Sequence, residues 1–191
     1  MKYQTVLFFG APGSGKGTQG KILGQVPGYY HCACGDVFRG LDLRSKVGKM
    51  FLEYSSRGEL VPDEFTVQLW KEAIDGLVTT RRLDPERETL VLDGIPRNIH
   101  QATMMADLIE VRKLFHLICP DRDKLVERLK RRALRDNRLD DANEDVIRHR
   151  LELYEDESRP VLEYYGNGCT VTVDATQMPL QVLTEILKAL G

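Results

Sequence analysis

Gly10-Ala11-Pro12-Gly13-Ser14-Gly15-Lys16-Gly17-Thr18 is the stretch on which the reading of this chain turns. It follows a short apolar run, Thr5-Val6-Leu7-Phe8-Phe9, and opens a helical segment. Glycines at 10, 13, 15 and 17 let the backbone curl so that successive N–H groups converge on a phosphate. Lys16 adds a cation, and the helix N-terminus behind it adds a favourable dipole. Gly10, Gly15 and Lys16 match the pattern G-x-x-x-x-G-K, but Gly17 stands where a Ser or Thr ordinarily meets magnesium, with Thr18 one place later. A glycine-rich turn that merely joins strand to helix has no use for the lysine, so Gly13 to Thr18 are expected to cradle phosphate.

Three further apolar runs have the character of strands buried on both faces: Thr89–Leu92 ending at Asp93-Gly94, Leu114–Ile118, and Thr170–Val173. Helical periodicity lies between them, in Phe65, Leu69, Ala73, Ile74 and Leu77 after Pro62, in Leu125, Leu129 and Ala133, and in Leu180, Leu183, Leu187 and Leu190. Such alternation implies βαβ units, a parallel sheet covered on both sides, and an α/β fold. Two stretches break it. Residues 31–61 show helical patches but no buried strand, and residues 133–143 are nearly all polar; both read as insertions of the kind that serve as lids. Asp93, at the carboxyl end of a strand, is expected beside the loop and able to hold Mg²⁺ directly or through water.

The chain has 191 residues, 42% apolar and 29% charged, with 27 Lys+Arg against 29 Asp+Glu and a formal charge of −2. These values exclude a disordered chain and argue against a dedicated nucleic-acid binder. Within the cations, 17 Arg outnumber 10 Lys, a bias toward planar recognition of phosphate and carboxylate. Cys32, Cys34, Cys119 and Cys169 have no metal or disulfide spacing and suggest a reducing compartment. His31, His100, His116 and His149 have no metal spacing either. With no signal-like or membrane-length apolar run, the expectation is a cytoplasmic protein without a membrane partner.

The sequence resembles the adenylate kinase family of nucleoside monophosphate kinases. The resemblance is carried by GAPGSGKGTQ (Gly10–Gln19), CGDVFR (Cys34–Arg39), GELVPDE (Gly58–Glu64), LDGIPRNIHQ (Leu92–Gln101), NRLDD (Asn137–Asp141), Arg150 in HRLE, and VDAT (Val173–Thr176). Gly-Thr after the loop lysine is that family's own form. The resemblance implies a P-loop NTPase, a three-layer αβα fold with a five-stranded parallel sheet and two mobile inserts. The core would be 1–30, 62–132 and 144–191, the monophosphate-binding insert 31–61, and a short lid 133–143 without zinc. The implied reaction is reversible, Mg²⁺-dependent phosphoryl transfer from ATP to AMP giving two ADP, by a monomer.

It also implies residue roles. Lys16 would hold the β- and γ-phosphates of ATP, while Arg39 and Arg97 grip the acceptor phosphate. Arg132, Arg138 and Arg150 would surround the transferring group, oriented by Asp140 and Asp141. Arg128 would lie against the donor adenine, with Gln177 also on the ATP side. Cys34, Val61, Gly94 and Gln101 would line the AMP pocket. Gln101 decides the acceptor, because a carboxamide can both accept from adenine's amine and donate to a ring nitrogen. Ala33-Cys34-Gly35-Asp36 departs from the usual Ser-Thr-Gly-Asp and replaces a hydroxyl with a weaker thiol donor. Arg131 and Arg135 read as a solvated basic face. The rival readings are a UMP/CMP kinase and, from another class, a nucleotide-binding module without catalysis; a GTPase is disfavoured because no N-K-x-D occurs.

Overall fold

The computed structural model describes every residue except Met1, Asn137, Leu139, Asp140 and Ala142. Its sheet has five strands: β1 (Tyr3–Phe9), β2 (Tyr29–Ala33), β3 (Thr89–Asp93), β4 (Ile109–Ile118) and β5 (Thr170–Asp174). They lie in the order β2-β3-β1-β4-β5, all parallel. The period of two along β1 explains why the sheet needs helices on both faces. Leu7 and Phe9 point into one core with Leu90, Leu92 and Leu114. Val6 and Phe8 point into the other with Val91, Phe115 and Leu117. Phe8 stacks on Phe115 there, with ring centroids 5.5 Å apart.

Each core is closed by helices whose apolar residues recur at helical spacing. On the first side lie α2 (Cys34–Arg39), α3 (Lys46–Arg57), α4 (Asp63–Thr79), α5 (Ile99–Met105) and α8 (Val161–Tyr165). Trp70 and Ile74 of α4 are fully buried against the sheet. On the second side lie α1 (Lys16–Leu23), α6 (Arg122–Asp136), α7 (Glu144–Leu153) and α9 (Pro179–Leu190). A π-helical turn, Tyr154–Ser158, continues α7.

Two expectations are corrected. A strand, β2, occupies Tyr29–Ala33, so His31, Cys32 and Ala33 belong to the sheet rather than to an insertion. Its residues, Tyr29-Tyr30-His31-Cys32-Ala33, include no Val, Ile or Leu, which leaves little aliphatic signal in the sequence; β5, equally an edge strand with one buried residue, is betrayed by its alternating Thr and Val. Ala133 to Asp136 are likewise helical, the end of α6. Leucine, arginine and alanine are good helix formers, and Arg131 supports the turn through Glu127 at i,i+4. The polarity that suggested a loop reflects exposure: Leu134 itself is 90% exposed.

Candidate functional site

The register of the sheet builds the site. Phe8 of β1 pairs with Asp93 of β3, and Asp93 pairs with Ala33 of β2. The carboxyl ends of three adjacent strands therefore deliver the glycine-rich loop, Asp93-Gly94 and Cys34 to one edge. In open α/β sheets that edge, where the chain reverses its direction of winding, is where ligands bind. A cleft of about 850 Å³ opens there.

In the loop, Gly13 and Gly15 have φ of +84° and +100°, a left-handed region that side chains rarely adopt. Their turns allow Lys16 to fold back over the loop. Its Nζ donates to Gly10 O at 2.6 Å and Ala11 O at 3.1 Å. Burial lowers its pKa to about 8; Asp93 opposes that shift, while Arg132, Arg97 and Arg150 add to it. A buried ammonium facing three guanidiniums is a site short of negative charge. Ser14 Oγ is buried beside Gly10 with no hydrogen-bond partner within the protein.

Gly17, the departure in the motif, has a local cause. A Cβ there would stand 3.2 Å from Asp93 Oδ2, so the missing side chain lets the carboxylate overlook the loop. Among the described residues no group of three or more His, Cys, Asp or Glu could hold a metal by itself. One carboxylate beside a phosphate loop fits Mg²⁺, which binds through one or two carboxylates plus substrate phosphates.

The arginines arrive from five segments, three of them helices. Arg39, on α2, is held by Asp36 at 2.5 Å. Burial works to raise the Asp36 pKa, but the hydrogen bond and charge of Arg39 outweigh it, so it lies below the usual carboxylate range. Arg97 folds onto its own turn, its Nε donating to Gly94 O at 3.0 Å. Arg132 of α6 and Arg150 of α7 share one carboxylate: Asp141 accepts from Arg132 Nε and from Arg150 Nη1, both at 2.6 Å, and is completely buried. Arg138 reaches across the cleft to within 4.0 Å of Asp36. Arg128 donates to Ala175 O at 3.0 Å, beside the end of β5.

The remaining residues flagged from the sequence, Thr18, Cys34, Val61, Gly94, Gln101 and Gln177, also line this cleft. The alternative for Gln101, a solvent-facing side chain, is excluded because it is 1% exposed. Its backbone N–H is capped by Asn98 at the start of α5. Cys34 is buried, and burial pushes its thiol up to about 11, as it pushes Cys32 up to about 12. Asp140 lies outside the described residues. Sequence reasoning missed Asp36, Thr66, Phe51, Tyr154 and Ser158, which also line the cleft. Asp36 was within reach as the carboxylate in CGDVFR; the π-helical turn bearing Tyr154 and Ser158 had no sequence signal. Arg131 and Arg135, read as a solvated face, stand at the cleft wall but are exposed and paired with Glu127 and Asp136.

The sequence profile of the adenylate kinase family matches residues 8–169. An adenylate kinase of Thermobifida fusca is 35% identical over 187 residues, covering 94% of each chain. One from Thermus thermophilus is 33% identical over 194 residues, covering 98% of this chain and 97% of the relative. One from Mycobacteroides abscessus is 34% identical over 188 residues, covering 97% and 98%. This chain belongs to the adenylate kinase family. The family carries the three-layer P-loop architecture seen here and generally uses Mg²⁺ with ATP. Among the described residues, no helix is long and apolar enough to cross a membrane.

Proposed function

We propose that this chain transfers the terminal phosphoryl group of MgATP to AMP, reversibly, yielding two ADP. The observation that carries this reading is the convergence of Lys16, Arg39, Arg97, Arg132, Arg138 and Arg150 on one cleft. A nucleotide-binding module needs the loop and its lysine, not five further guanidiniums around it. At about 850 Å³ the cleft is near the upper end of the roughly 300–1,000 Å³ usual for ligand pockets.

Phosphoryl transfer asks for positioning and charge neutralisation rather than a protein nucleophile. In this reading Gly13 to Thr18 and Lys16 hold the donor phosphates, and Arg128 and Gln177 lie at the donor base. Arg39 and Arg97 align the acceptor phosphate in line. Arg132, Arg138 and Arg150 meet the charge that spreads over the transferring group. Asp93 would hold Mg²⁺, directly or through water, and the ion supplies further neutralisation of the phosphates when bound. The first cover would be residues 34–61, shortened by the three residues that β2 claims, and the second 137–143, shortened by the four that α6 claims. A monomer in the cytoplasm, without nucleic-acid or membrane partners, belongs to the same reading, supported by the near-neutral charge and four free thiols.

The test is a transfer assay with MgATP against AMP, CMP, UMP and GMP. AMP is the expected acceptor; a preference for CMP or UMP would make the chain a pyrimidine-type kinase, and no turnover would leave a binder. Gln101→Asn shortens the side chain by one methylene and is expected to weaken AMP relative to CMP and UMP by about tenfold. An unchanged preference removes Gln101 from base recognition. Two adenosines joined by five phosphates should bind at least about 100-fold tighter than ATP, about 3 kcal/mol, because one molecule fills both sites. ATP-like affinity in calorimetry would count against adjoining sites.

A further inference from the structure

For a side chain that meets the acceptor base, the selectivity of Gln101 depends on which way its carboxamide faces. A carboxamide has two donors and two acceptor positions, and reversing it exchanges them. Adenine presents a 6-amino donor; hypoxanthine and guanine present a 6-oxo acceptor in the same place. A reversed Gln101 would therefore suit the wrong purine. Two partners oppose the reversal. The backbone N–H of Arg97 donates to Gln101 Oε1 at 2.8 Å, and Gln101 Nε2 donates to Asp63 Oδ1 at 2.7 Å.

We propose that Asp63 is a positioning residue for acceptor specificity, holding the Gln101 carboxamide in the orientation that accepts a 6-amino purine and rejects a 6-oxo purine. The proposal rests on the reading of Gln101 as the base-recognising side chain. A carboxylate has only acceptors to offer, so it admits the NH₂ end and repels the oxygen end. Asp63 is itself fixed from the other side, because Asn98 Nδ2 lies 3.0 Å from both of its oxygens. Asn98 in turn caps α5 by accepting from the Gln101 backbone N–H at 2.8 Å. The network closes on itself through protein groups alone, which is the condition for specificity by preorganisation.

Asp63 stands behind Gln101 rather than in front of it. Gln101 lines the nucleotide cleft, while Asp63 and Asn98 line a separate cavity of about 330 Å³. With one donor and one acceptor position of its carboxamide occupied, Gln101 keeps one of each, the pair that a two-point contact with adenine requires. An oxo group there would face an oxygen with no proton to share, and negative discrimination of this kind is how a site rejects a near-isostere.

The experiment compares AMP with inosine monophosphate as acceptor, with MgATP as donor, in wild type, Asp63→Asn, Asp63→Ser, Gln101→Leu and Asp63→Asn/Gln101→Leu. Asp63→Asn can offer either end of its own amide, so only the Arg97 N–H is left to oppose a turn of Gln101. The expected result is a roughly tenfold rise in KM for AMP and a roughly tenfold fall in the AMP:IMP preference, with kcat and KM for ATP within about twofold. Asp63→Ser, which keeps a good helix-start residue at α4, should give the same pattern. In the Gln101→Leu background Asp63→Asn should change the preference no further, because the coupling is lost with the partner. An AMP:IMP preference unchanged in both Asp63 variants overturns the proposal, as does a full Asp63 effect surviving in Gln101→Leu. A uniform fall in kcat and rise in both KM values with lowered Tm also overturns it, marking Asp63 as merely structural. If Gln101→Leu alone leaves the preference intact, the reading of Gln101 fails instead, and the two failures are told apart.

Discussion

Lys16→Ala is expected to lower kcat by about 100-fold or more, the usual consequence of removing a preorganised charge from a transferring phosphoryl group. The lysine is buried, donates to the carbonyls of Gly10 and Ala11, and is pressed by Arg132, Arg97 and Arg150. Those surroundings disfavour its charge, so the binding of a polyanion relieves repulsion among the cations around it. Lys16→Met, which retains the length of the side chain without the ammonium, separates charge from packing and should lose nearly as much. Steady-state ADP formation from MgATP and AMP measures both, and activity near that of wild type would defeat the mechanism.

Asp141→Ala has the second largest expected effect, on two quantities at once. A fully buried carboxylate binds one guanidinium from α6 and one from α7, each at 2.6 Å. Removing it leaves two cations side by side without the anion between them. Breaking such a buried network costs about 3 kcal/mol, the low end because Arg132 and Arg150 retain access to cleft water. For a domain of this size that is a fall in Tm of roughly 6–12 °C. Misplacement of the two arginines by about 1 Å should also cut kcat by roughly 10–100-fold. Differential scanning calorimetry and the coupled assay read the two losses; a variant with wild-type Tm and kcat would mean that neither arginine depends on Asp141.

How much of this was legible beforehand follows from where each signal resides. Four strands announced themselves because β1, β3, β4 and β5 carry aliphatic or β-branched runs, whereas β2, Tyr29-Tyr30-His31-Cys32-Ala33, has no Val, Ile or Leu. The glycine-rich loop was legible because its backbone geometry demands glycine, and Lys16, Arg39, Arg97 and Arg150 because their motifs are short and contiguous. Contacts between distant segments were not. Nothing in the sequence says that Asp63 reaches Gln101 across 38 positions, or that Asp36 faces Arg138 across the cleft. The end of α6 was misread because its polarity records exposure rather than conformation.

The alternation along β1 has a consequence for how such an enzyme can be tuned. Leu7 and Phe9 share their core with Cys34, Phe38 and Val61, which border the proposed acceptor pocket. Val6 and Phe8 share theirs with Leu129, Ala175 and Val182, which back the proposed donor side. One strand thus separates two mechanically distinct halves. A change of volume at an odd-numbered position should be felt by the acceptor and one at an even-numbered position by the donor, so the two affinities can drift independently under selection while the loop between them stays as it is.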